Sequence, residues 1–167
     1  AVALGDETVL ARTWIVSPDP ALLAHVPEGE RVELVARLTE DVMEGFHAAQ
    51  GWPGVEYSYV VHTRETEAGD PHVHAHVVSA GTYLDPLDGM RVGAARQNFG
   101  ERCYFIGREQ LGALRDLSQR AFQHELSGVL GLERTRELLA GRGIEDERDG
   151  NPTGSEPELS LDDPLAG

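Results

Sequence analysis

Residues 71–78 read Pro-His-Val-His-Ala-His-Val-Val and hold three of the chain's seven histidines. Side chains alternate faces along an extended strand, so His72, His74 and His76 project together while Val73, Ala75 and Val77 project the other way. Same-face neighbours stand roughly 6.6–7 Å apart, twice the rise per residue. Imidazoles at that spacing can converge on one metal ion or one phosphate while the opposite face enters a core. A fourth histidine closes the preceding strand-like stretch, Val55-Glu56-Tyr57-Ser58-Tyr59-Val60-Val61-His62. The charged connection from Thr63 to Asp70 makes the two strands antiparallel neighbours, which sets His62 beside His72 or His74. The expected ligand set is His62, His72, His74 and His76, with three of the four sufficient. A motif led by Pro71 pairs His72 with His74, and one anchored at Val77 and Val78 pairs His74 with His76. His74 belongs to both. Three imidazoles by themselves suit Zn²⁺ or Ni²⁺.

The flanking sequence supplies elements to position these strands. Thr13–Val16 is a short apolar strand stopped by Ser17-Pro18-Asp19-Pro20, and Asp19 before Pro20 starts one helical turn reaching His25. From Glu28 to Gln50 the residues Val32, Val35, Leu38, Val42, Met43 and Phe46 recur at mostly three- and four-residue steps, an amphipathic helix ended by Gly51. After the histidine strands, Gly81–Leu84 and Met90–Val92 flank the turn 85–89 as a short hairpin. Arg108–Leu126 is a second helix with Leu111, Leu114, Leu117, Ala121 and Phe122 on its stripe; Gly128–Gly131 breaks it, and Leu132–Ala140 forms a last one. This order predicts an α+β sandwich, helices on one face of a mainly antiparallel sheet. His25 is expected in an exposed loop, His47 partly exposed on its helix, and His124 on the surface.

The chain has 167 residues and a formal net charge of -15, with fourteen arginines and no lysine. One domain over 1–144 is expected, followed by an acidic, disordered tail over 145–167. Residues 89–144 carry nine arginines against six acids, so any nucleic-acid contact must be local rather than driven by bulk charge. No apolar run approaches the ~18 residues of a membrane span. One cysteine, Cys103, excludes an intrachain disulfide framework. With no secretory leader in the N-terminal residues, a cytoplasmic location is expected.

A strand carrying His-x-His, with another histidine closing the neighbouring strand, resembles the metal site of HUH endonucleases, most closely the relaxase or mobilisation-nuclease branch. The resemblance rests on His62-Thr63-Arg64-Glu65 and Pro71-His72-Val73-His74-Ala75-His76-Val77-Val78. It extends loosely over residues 12–127, through the hairpin and the helix starting near Arg108. It implies a ferredoxin- or RRM-like core and a divalent cation, Mg²⁺ or Mn²⁺, that grips the scissile phosphate of single-stranded DNA. It also implies a tyrosine nucleophile that forms a 5′-phosphotyrosyl link. The expected partners are single-stranded DNA at a plasmid origin and other relaxosome proteins, with Arg91, Arg96 and Arg108 as phosphate contacts. Arg64 stands where the family has Asp, with Glu65 and Glu67 as nearby carboxylates. The relaxase branch sets its tyrosine near the N-terminus, and the first tyrosine here is Tyr57. That reading therefore requires residues before Ala1, a replication-initiator arrangement using Tyr104, or a metal module without catalysis. Tyr104 otherwise reads as an aromatic packed at the approach to a helix.

Residues 72–78 also resemble the His-φ-His-φ-His-φ-φ signature of histidine-triad nucleotide hydrolases. There the middle histidine, His74, would attack an α-phosphate without metal. Some ninety residues and two helices follow the motif here, and that reading leaves His62 without a role.

Overall fold

A computed structural model describes residues 8–95 and 104–142. In chain order the elements are β1 (Thr8–Val9), β2 (Ala11–Val16), α1 (Pro20–Leu23), α2 (Glu28–Ala49), β3 (Tyr57–Glu65), β4 (Pro71–Ala80), β5 (Thr82–Leu84), β6 (Arg91–Ala95), α3 (Arg108–Leu130) and α4 (Leu132–Ala140). The class is α+β. One antiparallel sheet has the order β2-β4-β3, with the histidine strand in the middle, and a second has the order β1-β6-β5. The expected boundary at residue 144 and the acidic tail 145–167 lie outside the described residues. So do Arg96 and Cys103.

Among the described residues, helices cover the sheet β2-β4-β3 on one side only. Val73, Ala75 and Val77 of β4 pack with Leu34, Val35 and Met43 of α2 and Leu126 of α3. Tyr57 and Tyr59 of β3 lie on the same side, donating their hydroxyls to Glu44 and Glu40 of α2. On the other side Ile15, Val60 and Val78 remain 66, 58 and 50% exposed. The period-2 pattern therefore sorts β4 into a buried apolar face and an open face that carries the histidines.

Local signals explain most boundaries. The Asp19 carboxylate accepts from the Ala21 amide at the start of α1, and Glu28 and Glu30 sit in the first turn of α2, where acids favour the helix dipole. The expected stop at Gly128 is corrected: α3 runs on to Leu130 because Leu126, Val129 and Leu130 pack into the core. That packing outweighs the roughly 1 kcal/mol cost of a mid-helix glycine. Gly131, at φ +83°, makes the break. Two stripe residues are also corrected. Val32 and Leu111 are exposed. The buried pairs of α2 step by four, from Leu34–Val35 to Phe46–His47, and extrapolate to residues 30–31 rather than 32. Among the described residues no helix is long and apolar enough to cross a membrane.

Candidate metal centre

Strand register assembles the site. His62 is directly opposite His74, and His76 lies between Val60 on one side and Ile15 on the other. Directly opposed residues share a face, so His62, His74 and His76 meet on the open side. One ring nitrogen from each lies within 4.8 Å of the others. The ring centroids are 5.6 Å apart for His62 and His74, 4.9 Å for His62 and His76, and 5.0 Å for His74 and His76. Nε2 of His74 stands 3.2 Å from Nε2 of His76.

Those separations fit a common cation. Two nitrogens bound at about 2.1 Å would stand roughly 3.0–3.4 Å apart for octahedral or tetrahedral angles. His74 and His76 meet that condition as they stand. His62 is exposed, so a side-chain rotation can bring it inward without disturbing the core. His74 is the buried member at 5% exposure. Burial, followed by the nearby His72, Arg64 and His76, holds its pKa below the ordinary histidine value, while contact with the His72 backbone acts the other way. The neutral imidazole is the form that binds metal.

His72 does something else. The Arg64 Nε–H donates to its Nδ1 at 3.1 Å, and its Nε2 lies 3.1 Å from the Ser17 hydroxyl oxygen. An arginine can only donate. Nδ1 is therefore the lone-pair nitrogen of a neutral ring, Nε2 carries the proton, and that proton goes to Ser17. Both nitrogens are committed, so His72 stacks on His74 with centroids 4.6 Å apart without offering a ligand atom. The expected four-histidine set thus resolves to His62, His74 and His76. The same tautomer prevents His72 from serving as a base toward Ser17, so the pair is not a serine nucleophile. The carboxylates expected near Arg64 do not contribute, since neither Glu65 nor Glu67 bonds a histidine among the described residues. Glu65 falls on the other strand parity.

Tyr104 is a core residue at 0% exposure, packed at the approach to α3 rather than open to a substrate phosphate. His47, expected to be partly exposed, is also buried. Its Nδ1 donates to the Met43 carbonyl at 2.6 Å, which leaves Nε2 to accept from the Tyr104 hydroxyl at 2.8 Å. Ser79 accepts from the Trp14 indole N–H at 2.8 Å. Arg12 lies over the Tyr104 ring, 4.3 Å from its centroid. Ser79 shares the helix-facing parity of β4 with Val77, so this network lies across the sheet from the histidines. Sequence reading missed it because Tyr104 is 57 residues from His47, and no local pattern announces so distant a partner. Tyr83 is buried in the same aromatic cluster. None of the chain's four tyrosines lies on the histidine face.

Of the expected phosphate contacts, Arg91 pairs with Glu56 beside the β5–β6 hairpin and Arg108 is exposed at the start of α3. Neither lines the histidine cleft. That cleft, about 660 Å³, is bounded by Ile15, Ser17, His62, Thr63, Arg64, His72, His74 and His76. His25 and His124 are exposed as expected. The chain matches no family model, and no curated protein or solved structure matches it.

Proposed function

We propose that the protein is a metal-dependent enzyme of phosphodiester chemistry on single-stranded DNA, an HUH-type nuclease of the relaxase kind. The reading rests on one observation: three imidazoles from two paired strands converge on the sheet face opposite the helices. A divalent cation held there would supply Lewis-acid stabilisation of charge developing on phosphate oxygens. Neutral imidazoles cancel none of its charge, and no carboxylate is among the described residues lining the cleft. An all-imidazole set favours Zn²⁺, Ni²⁺ or Mn²⁺ over Mg²⁺, which prefers oxygen donors. Among the described residues nothing covers this face of the strands, which gives an extended polymer access that a closed pocket would deny. Because the four tyrosines lie elsewhere, the attacking group in this reading is water or a hydroxyl outside the described residues.

The test is cleavage of a labelled single-stranded oligonucleotide by the full chain with Mn²⁺ or Zn²⁺, beside EDTA-treated and His74→Ala samples. Metal-dependent nicking lost in His74→Ala supports the proposal, and a covalent adduct on a denaturing gel would identify a protein nucleophile. Metal binding without nicking would reduce the protein to a metal module. Metal-independent release of a nucleoside monophosphate would favour the triad-hydrolase chemistry.

A further inference from the structure

The group beside the three histidines has a chemistry of its own. Arg64 and His72 are register partners across β3 and β4, one two-residue step along the open face from His62 and His74. The chain has 29 acidic residues against fourteen arginines; Arg12 and Arg31 bond backbone carbonyls, and other arginines have carboxylates as partners. Arg37, Arg91, Arg134 and Arg142 all pair with them. Arg64 instead donates Nε–H to an uncharged imidazole. That bond uses one of five guanidinium donors and neutralises none of its charge. The four terminal N–H groups belong to a side chain that lines the cleft, and no acid among the described lining residues competes for them. The Ser17–His72–Arg64 relay fixes the guanidinium from behind, as His72 is itself held through Nε2. A pre-oriented planar fork beside a cation site is suited to an oxyanion with two oxygens to offer.

We infer that Arg64, held by His72, is an anion receptor that takes one phosphate group together with the three-histidine site. This deepens the metal-dependent phosphodiester reading and rests on it. Phosphate oxygens would contact the ion on one side and the terminal N–H groups of Arg64 on the other. The apolar Ile15 and Val60 flank His76 on the far side of the cluster, where they offer a surface to the sugar or base attached to that phosphate.

The probes are Mn²⁺ alone and inorganic phosphate, titrated calorimetrically into the full chain as wild type, Arg64→Gln and Arg64→Lys. Arg64→Gln should still bind Mn²⁺ while weakening phosphate binding to the Mn²⁺-loaded protein by about tenfold or more, the scale of one charge-assisted contact. Arg64→Lys, which keeps the charge and loses the fork, should recover part of that loss. Phosphate affinity in Arg64→Gln within twofold of wild type would overturn the inference, as would no recovery in Arg64→Lys. Failure of the wild type to bind Mn²⁺ would instead overturn the metal reading. The phosphate titrations without metal would then judge Arg64 by the same comparison.

Discussion

His72 and His74 are two residues apart on one strand face, yet their lone pairs have different fates. An arginine donor and a serine acceptor consume both nitrogens of His72, while His74 turns Nε2 toward His76. Replacing His74 or His76 by Ala should therefore reduce Mn²⁺ or Zn²⁺ affinity by more than about 100-fold, beyond what losing an outer-sphere partner costs. His72→Ala should change it by less than about tenfold. Calorimetry with each variant separates these outcomes, and equal losses for His72 and His76 would mean that the ligand set is misassigned. Across the sheet, Tyr104→Phe removes the hydroxyl that serves His47 Nε2. Its cost should be about 1–2 kcal/mol of stability in denaturant unfolding. Metal affinity should not change, because the network faces the helices.

At the scale of elements, the turn from β4 into β5 depends on one missing side chain. A Cβ on Gly81 would fall inside the Val9 carbonyl oxygen and lie 2.8 Å from the Leu10 carbonyl, where the Gly81 amide bonds Leu10. Gly81→Ala must part these backbones and should cost about 2–3 kcal/mol, seen as a lower denaturant midpoint. Most elements were legible from local signals: alternation for β3 and β4, Asp19-Pro20 for α1, four-residue steps for α2. Their pairing followed from one short connection, which is why His62 could be set beside His72 or His74, and the register selects His74. The choice between His72 and His76 could not. It depends on Ser17, which lies 55 residues from His72, and on the direction in which one arginine donates. The end of α3 was misread for a similar reason: Gly128 is a local signal for stopping, and the packing of Val129 and Leu130 is a tertiary reason to continue.

The whole molecule couples these features to pH. His47 is buried and neutral, held below the ordinary histidine pKa by desolvation and by the Arg12 charge, against the opposing effect of its bond to the Met43 carbonyl. The unfolded chain protonates this side chain near pH 6.5, whereas the folded one resists until lower pH. Between those values the unfolded state binds more protons, so its contribution to stability is complete above about pH 6.5 and is lost as pH falls toward the folded value. At the alkaline end Tyr57 is pushed up to about 12, chiefly by burial. Tyr59 is pushed up to about 12, chiefly by its bond to Glu40. Their contributions are present below the unfolded tyrosine value near 10 and fade as pH rises through it toward 12. Asp41 works against the acid trend, since burial and Glu125 raise its pKa and let the folded state take up a proton early. A melting curve of wild type alone would mix these effects. The difference between wild type and His47→Gln isolates one of them, because every other titrating group is common to both. That difference should shrink as pH is lowered from 7 to 5 and hold constant from 7 to 9. A difference independent of pH across the whole range would mean that His47 is not the group that resists protonation.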